Sequence, residues 1–328
     1  MKNINILLKA LSVAILAVSM STQAKVYRLS HNVSNTTTWQ KGAEKFGQLL
    51  DEKTSGKMKV RVFPNSVLTG GDQIKQAEML GRNSIDFVLT SAINVTPLIP
   101  EMAVFSLPYL FRDYNDVDNA IHSAATKQIE AIAEQKNILI LAWGENGFRE
   151  LTNSKRAVRT PDDLAGLKVR VAGPMYIDVF KDLGANPQQM QWAETFSALQ
   201  QGVVDGQENP VSIITMQRLF EIQNNITLWH YSYDPIFLAV SRKVWDSLDD
   251  ETKKVVSDAA TEAMEYQVNL ARKETADGVA VLEKEGMTVV EPTAEQLQLF
   301  KDKTAPTYNK WKAKVGNELV EAFESVAK

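Results

Sequence analysis

The chain has 328 residues, of which 44% are apolar and 23% charged, as is ordinary for a folded protein of about two domains. Its 36 basic and 40 acidic residues give a formal net charge of −4, so the basic surface that binds nucleic acid is not expected. The sequence contains no cysteine, which excludes disulfides, thiolate zinc sites, iron–sulfur clusters and cysteine nucleophiles.

Residues 1–24 have the pattern of a secretory signal peptide. Lys2 and Lys9 supply positive charge, residues 10–20 are apolar, and the small residue Ala24 precedes the expected cleavage point. The apolar run is shorter than the roughly 20 residues of a membrane-spanning helix. Because no cysteine follows the cleavage point for attachment of a lipid, we expect a free periplasmic protein with no membrane insertion.

The chain beyond residue 24 alternates predicted strands and helices. Alternating or continuous apolar residues predict strands at 26–31, 58–63, 85–90, 138–143 and 167–171. Helical spacing predicts helices at 39–54, 72–80, 175–183, 193–201 and 213–219, with a short helix opened by 161–163 and a turn at 144–147. This order predicts an α/β fold with a largely parallel sheet.

Residues 249–286 predict a long helix, since they contain no proline and only Gly278 interrupts the helical spacing. A continuous helix here would be about 50 Å long and would have to run along two lobes. Two helices broken near Gly278 are the alternative.

No flexible linker separates the two halves, so we expect two lobes joined by several crossovers at a hinge. Lobe I is predicted to comprise residues 25–146 and about 235–275. Lobe II is predicted to comprise residues 147–234 and about 276–328.

Catalytic and cofactor motifs are missing from the sequence. It has no serine nucleophile elbow, zinc-binding histidine pair, phosphate-binding loop or dinucleotide fingerprint. Asp205 and Glu208 lie close together, but their glycine-rich segment is more typical of a turn with capping acids than of an acid–base pair. An exported, acidic, two-lobed protein of this kind is more typical of a binding protein than of an enzyme, and a periplasmic hydrolase stays as the remote alternative.

Two segments carry a more specific pattern, Gly166-Leu-Lys-Val-Arg170 and Asp205-Gly-Gln-Glu-Asn-Pro210. Together with the segments 63–64, 105–111, 183–187 and 190–202, they resemble the DctP-type solute-binding proteins of TRAP (tripartite ATP-independent periplasmic) transporters. The resemblance covers nearly all of residues 25–328.

This resemblance implies a non-enzymatic receptor with two α/β lobes that close around one small organic acid, and a long helix that spans both lobes. The loaded receptor would deliver its ligand to a TRAP membrane permease for uptake driven by an ion gradient. It implies no cofactor and no metal, and we expect a monomer. A receptor of an ABC importer or of a sensor is the alternative with the same two-lobed design.

Four residues of the predicted lobe II match ligand-binding positions of this family. Arg170 matches the arginine that binds the ligand carboxylate, a task that suits the forked guanidinium. Arg149 matches a second arginine, Asn209 an asparagine that reaches the ligand, and Trp192 an aromatic residue that covers it. The alternatives are a solvent-facing strand arginine, a surface charge or interlobe salt bridge, a turn asparagine and a core tryptophan, respectively.

In the first half, Asn32, Thr90 and Ser91 lie at the ends of predicted strands that face the cleft, with His31 and Asn94 as possible neighbours. Sialic-acid-binding members carry an acid at the position of Ser91, so the serine argues against sialic acid. The many hydroxyl and amide groups favour a sugar acid such as a uronate or aldonate. A C4-dicarboxylate or a keto acid is the alternative ligand of the same transporter type.

Overall fold

The computed structural model describes residues 24–327, which form two lobes, each built on one β-sheet and its covering helices. The strands are β1 Lys25–Ser30, β2 Met58–Phe63, β3 Phe87–Ser91, β4 Ile138–Phe148, β5 Glu150–Asn153, β6 Lys168–Val171, β7 Asn186–Gln189, β8 Gly206–Asn209, β9 Asn225–Thr227, β10 Tyr233–Ser241 and β11 Thr288–Val290. The helices are α1 Thr38–Lys53, α2 Lys75–Gly81, α3 Ala92–Val95, α4 Tyr114–Ile121, α5 Ala124–Glu134, α6 Pro174–Asp182, α7 Trp192–Gln200, α8 Val211–Met216, α9 Arg242–Asp246, α10 Asp250–Lys284, α11 Ala294–Val315 and α12 Asn317–Val326. The predicted signal peptide lies almost entirely outside the described residues.

Each sheet is largely parallel, as predicted, and contains one strand that runs antiparallel to the others. In lobe I the order is β2-β1-β3-β10-β4, and β10 runs antiparallel to both of its neighbours. In lobe II the order is β11-β9-β5-β8-β6-β7, and β5 runs antiparallel to β8 and β9. In each sheet, the antiparallel strand comes from the segment that crosses between the lobes. The predicted α/β class and two-lobed architecture are confirmed.

Strand β4 continues through the segment that was predicted to form a turn. It pairs with β10 along its length, with a register shift between Asp234 and Pro235 that leaves Asn146 without a partner in the ladder. Such a bulge redirects a side chain locally, and Asn146 lies in the wall of the interlobe cleft. Immediately after β4, the Arg149 N–H donates to the Ser232 carbonyl at 2.9 Å, so the two crossing segments are held together where they pass between the lobes.

Helix α10 is continuous, so the predicted long helix is confirmed and the alternative break at Gly278 is wrong. Its 35 residues span about 52 Å. Asp249 caps the start of the helix, since its carboxylate accepts the Thr252 N–H at 2.7 Å. The helix packs on α1 and β4 in lobe I and on α8 in lobe II. A Cβ atom at Gly278 would lie 2.6 Å from Val211 Cγ1, so the glycine allows α8 to approach closely.

The segment after α10 packs on both lobes. Strand β11 pairs with β9 in the sheet of lobe II, and α11 packs on α6 of the same lobe. Helix α12 packs on α4 and α5 of lobe I. The predicted boundaries of the lobes remain a prediction. Within residues 24–327, no helix is both long enough and apolar enough to cross a membrane.

Candidate ligand-binding site

The candidate site is the cleft between the two lobes, at the ends of β1 and β3 on one side and of β6 and β8 on the other. Its wall consists of Asn32, Val33, Trp39, Gln73, Ser91, Asn94, Asn146, Arg149, Arg170, Ala172, Trp192, Asn209, Ile213 and Asp234. The volume open to the centre of a water molecule is about 30 Å³, and one water needs roughly 10–15 Å³ by this measure. The structure is therefore a closed arrangement, and a larger ligand enters when the lobes separate at the hinge.

Arg170, on β6, is a buried cation without an acidic partner. Only 1% of the residue is exposed, so it is not a solvent-facing strand residue. Its Nε and Nη2 atoms donate to the Met190 carbonyl at 3.0 and 2.8 Å, and its guanidinium lies 5.4 Å from the centre of the Trp192 ring. No carboxylate of the described residues lies within 4 Å. Burial lowers the pKa of Arg170 to about 10, and the negative charge of Glu208, which does not contact the guanidinium, opposes this shift. A charge this costly to bury attracts an anion.

Arg149 lies at the junction of β4 and β5 and is already neutralised. Its Nε donates to a Glu208 carboxylate oxygen, and its Nη1 lies 3.1 Å from Asp234 Oδ2. Its Nη2 donates to the Glu208 carbonyl at 2.7 Å and to Asn209 Oδ1 at 3.3 Å. Burial alone would lower the pKa of Arg149, but the two carboxylates raise it above its ordinary value. Since Asp234 belongs to lobe I and Glu208 to lobe II, Arg149 forms an interlobe ion pair.

The two acids are fully engaged by protein groups. Glu208 accepts the Tyr231 hydroxyl at 3.0 Å and the Ala172 N–H at 3.1 Å, in addition to Arg149. Asp234 accepts the Ser91 hydroxyl at 2.5 Å and the Asn146 amide at 2.7 Å. Burial raises the pKa of Asp234, with Arg149 opposing the shift. The two acids balance the two arginines in formal charge, but both contact Arg149 and neither contacts Arg170.

Lobe I contributes amides to the cleft. Asn94 Nδ2 donates to Asn32 Oδ1 at 3.4 Å, and Gln73 Nε2 donates to Asn94 Oδ1 at 2.9 Å. On the same wall the Trp39 indole N–H donates to Asn146 Oδ1 at 3.2 Å. Amides both donate and accept hydrogen bonds, so this wall can bind a hydroxyl group either as a donor or as an acceptor.

Seven of the nine predicted site residues line this cleft, namely Asn32, Ser91, Asn94, Arg149, Arg170, Trp192 and Asn209. Thr90 and His31 do not line it. Successive strand residues point to opposite faces, so when Ser91 faces the cleft, Thr90 faces away, and its hydroxyl is buried without a partner. His31 is buried beside α1, where its Nε2 lies 2.7 Å from Gln40 Oε1.

His31 gives a testable pH dependence of stability. Burial lowers its pKa from 6.5 to about 4, against opposing contributions from Gln40 and Glu44. Between these two pH values the unfolded chain binds a proton that the folded chain does not, so stability should fall as pH falls from 6.5 to 4. We expect His31→Gln to weaken that dependence, which chemical denaturation of both proteins at pH 7 and pH 4.5 measures. Parallel curves for the two proteins would contradict the prediction.

Sequence reasoning missed four polar or aromatic residues of the cleft: Trp39, Gln73, Asn146 and Asp234. Asn146 was assigned to a turn, and only the bulge of β4 directs it to the cleft. Asp205 and Glu208 were expected in a turn, whereas residues 206–209 form the buried strand β8. No local pattern distinguishes Gln73 from other loop glutamines, because its partners, Gln191 and Trp192, belong to the opposite lobe.

The cleft therefore combines one buried guanidinium that lacks an acid with a wall of amide and hydroxyl groups. A carboxylate can accept from the guanidinium while hydroxyl groups exchange hydrogen bonds with the amides. A closed two-lobed fold around such a site defines a solute-binding protein.

The family model for bacterial extracellular solute-binding protein family 7 (DctP) matches residues 29–314, and the chain belongs to this family. The protein is thus a solute-binding receptor of the TRAP type, as the sequence motifs predicted. The 2,3-diketo-L-gulonate-binding periplasmic protein YiaO of Escherichia coli is 33% identical over 271 residues, which cover 82% of each chain.

Two solved structures are similar over almost the whole described chain. A TRAP periplasmic solute-binding protein of Ralstonia eutropha, with bound (S)-2-acetolactate, has a TM-score of 0.90 and 36% identity and covers 92% of this chain and 98% of its own. The sugar acid binding protein DctPAm of Advenella mimigardefordensis, in complex with galactonate, has a TM-score of 0.89 and 32% identity over 93% and 98% of the two chains. The relatives are receptors, in agreement with a binding rather than a catalytic role.

Proposed function

We propose that this protein is the receptor for a small hydroxylated monocarboxylate of the sugar-acid type. The observation that carries the proposal is the difference between the two cleft arginines. Arg170 has no acidic partner, whereas Arg149 already contacts two carboxylates. The cleft thus offers one cation for one ligand carboxylate.

A C4-dicarboxylate is a poorer match for this charge distribution. Its second carboxylate would need a second cation or a group of donors with no acid nearby. The other arginine of the cleft, Arg149, is already paired with Glu208 and Asp234, and the Asp234 carboxylate itself lies in the cleft wall. Like charges in a desolvated site repel each other strongly, so a neutral hydroxylated tail is favoured over a second acid.

The relatives of this chain divide between the two ligand classes. The C4-dicarboxylate-binding proteins DctB of Bacillus subtilis and DctP of Rhodobacter capsulatus are 30% and 31% identical to it, so the preference for a monocarboxylate rests on the cleft, and three other relatives agree with it. YiaO is named for 2,3-diketo-L-gulonate, and the two solved structures hold acetolactate and galactonate. Each of these molecules has a single carboxylate. We propose that the loaded receptor, exported to the periplasm, delivers such an acid to a TRAP permease.

A thermal-shift screen of the exported chain tests this proposal. The panel contains D-galactonate, D-erythronate, D-glucuronate, acetolactate and succinate, with galactitol as the control that replaces the galactonate carboxylate by a hydroxymethyl group. A ligand at about 100 times its Kd stabilises the folded state by about 2.7 kcal/mol. We expect a shift with one or more of the monocarboxylates and none with galactitol. A shift with succinate alone, or an equal shift with galactitol, would overturn the assignment.

A further inference from the structure

We propose that Gln73 is a positioning residue that holds the cleft closed from lobe I and sets which hydrogen-bonding groups face the ligand. The inference rests on the proposed function in one respect, that the ligand binds in this cleft. Gln73 lies in the segment between β2 and α2, and only 4% of it is exposed.

Gln73 and the start of α7 exchange hydrogen bonds across the mouth of the cleft. The Trp192 N–H donates to Gln73 Oε1 at 3.0 Å, and the Gln73 N–H donates to Gln191 Oε1 at 3.1 Å. We call this pair of bonds the glutamine clasp. Each side chain accepts a backbone N–H from the opposite lobe, so both bonds require that the lobes be closed.

The clasp also completes helix α7. The first N–H groups of a helix have no partner within the helix, and the side chain of Gln191, the residue before α7, makes no capping bond. Lobe I supplies the acceptor instead, through Gln73. Because the Trp192 ring lies on the Arg170 guanidinium, the bond from the Trp192 N–H to Gln73 also links lobe I to the residue that packs on Arg170.

The same contact determines the orientation of two amides of lobe I. Since the Trp192 N–H can only donate, Gln73 presents Oε1 to it and directs Nε2 to Asn94 Oδ1 at 2.9 Å. Asn94 then directs Nδ2 toward Asn32 Oδ1, at 3.4 Å, in the cleft wall. Through this chain of hydrogen bonds, closure of the lobes fixes Asn94 as an N–H donor toward the ligand.

Two measurements on the ligand-free protein test the clasp. Hydrogen exchange of the Trp192 amide reports the bond to Gln73. Spin labels on Lys59→Cys in lobe I and Val203→Cys in lobe II report the distance between the lobes, and the chain has no native cysteine to interfere. Loss of one hydrogen bond shifts the equilibrium between closed and open lobes by about two- to tenfold. We expect Gln73→Ala to speed exchange at Trp192 at least fivefold and to lengthen the label distance.

Three further variants separate the clasp from a general loss of structure. Gln191→Ala removes one clasp bond without altering a residue of the cleft wall and should also lengthen the label distance. Gln73→Glu keeps the acceptor for Trp192 and loses the donor to Asn94, so it should restore slow exchange. Gln48→Ala, an exposed glutamine whose amide donates to Glu52 within α1, should change neither readout.

Unchanged exchange and distance in both alanine variants would overturn the inference, as would exchange in Gln73→Glu as fast as in Gln73→Ala. A wild-type label distance already in the open range without ligand would overturn it too. Neither readout uses a ligand, so failure of the acid panel would refute the proposed function while the clasp is judged separately.

Discussion

Replacement of Arg170 by methionine is expected to weaken binding of the cognate acid by about a hundredfold while leaving the ligand-free protein as stable as before, or more stable. The guanidinium uses Nε and Nη2 on the Met190 carbonyl, and Nη1 makes no hydrogen bond within residues 24–327. Charge-assisted hydrogen bonds contribute about 1.5–3 kcal/mol each, and 1.4 kcal/mol is a tenfold change in Kd. Loss of two such bonds to the ligand accounts for the expected weakening.

The expected effect on stability has the opposite sign because the charge is unpaired before the ligand arrives. A buried cation with no acid in contact destabilises the folded state, and methionine keeps most of the volume while removing the charge. We expect this gain to equal or exceed the cost of losing the two hydrogen bonds to the Met190 carbonyl. Isothermal titration with the acid that gives the largest thermal shift measures the affinity, and the Tm without ligand measures the stability. Arg159→Met, on the exposed surface of lobe II, is the control. Unchanged affinity in Arg170→Met would refute the carboxylate-binding role.

Much of the fold was predictable because its signals are local. The strands at β1, β2 and β6 and the helix α10 follow from apolar periodicity and from the absence of proline. The sequence predicted only the first half of β4, because the second half contains Gly144 and Gly147, which are typical of turns. Pairing with β10 keeps this segment extended, and that partner lies almost 90 residues further along the chain. Tertiary pairing therefore overrode local preference.

The sequence predicted which residues lie in the candidate site better than it predicted which of them contact each other. The motif residues Arg170 and Asn209 and the strand-end residue Ser91 do lie in one cleft. The sequence could not show that Glu208 contacts Arg149 rather than Arg170, since all three are distant in the chain and meet only through the order of strands in the sheet. Which arginine carries an unpaired charge is decided by that geometry.

Replacement of Arg149 by methionine is expected to destabilise the protein by about 3–5 kcal/mol, the usual effect of removing one partner of a buried ion pair. The variant leaves Glu208 and Asp234 buried, at 0% and 1% exposure, without their common cation. At roughly 2–4 °C per kcal/mol for a chain of 150–250 residues, and less for a longer one, we expect a fall in Tm of about 10 °C. Differential scanning calorimetry without ligand measures it.

The pH dependence of this loss follows from Asp234. Burial raises the pKa of its carboxyl group, and without Arg149 the cation that opposes this shift is gone. A raised carboxyl pKa gives stability that is present at low pH and lost as pH rises through the folded value. The difference in Tm between wild type and Arg149→Met should therefore be larger at pH 8 than at pH 5. Asp234→Asn in the Arg149→Met background should recover part of the loss at pH 8.

Arg170→Met is the matched control for this prediction as well. The two arginines line the same cleft and are buried to 2% and 1% exposure, so the change in volume and apolar contact is nearly the same. They differ in their acidic partners. A large fall in Tm for Arg149→Met beside an unchanged or higher Tm for Arg170→Met would show that one cation stabilises the fold and the other is held for the ligand. Equal falls would mean that Arg170 is also a structural cation, and the basis for assigning a single ligand carboxylate would be lost.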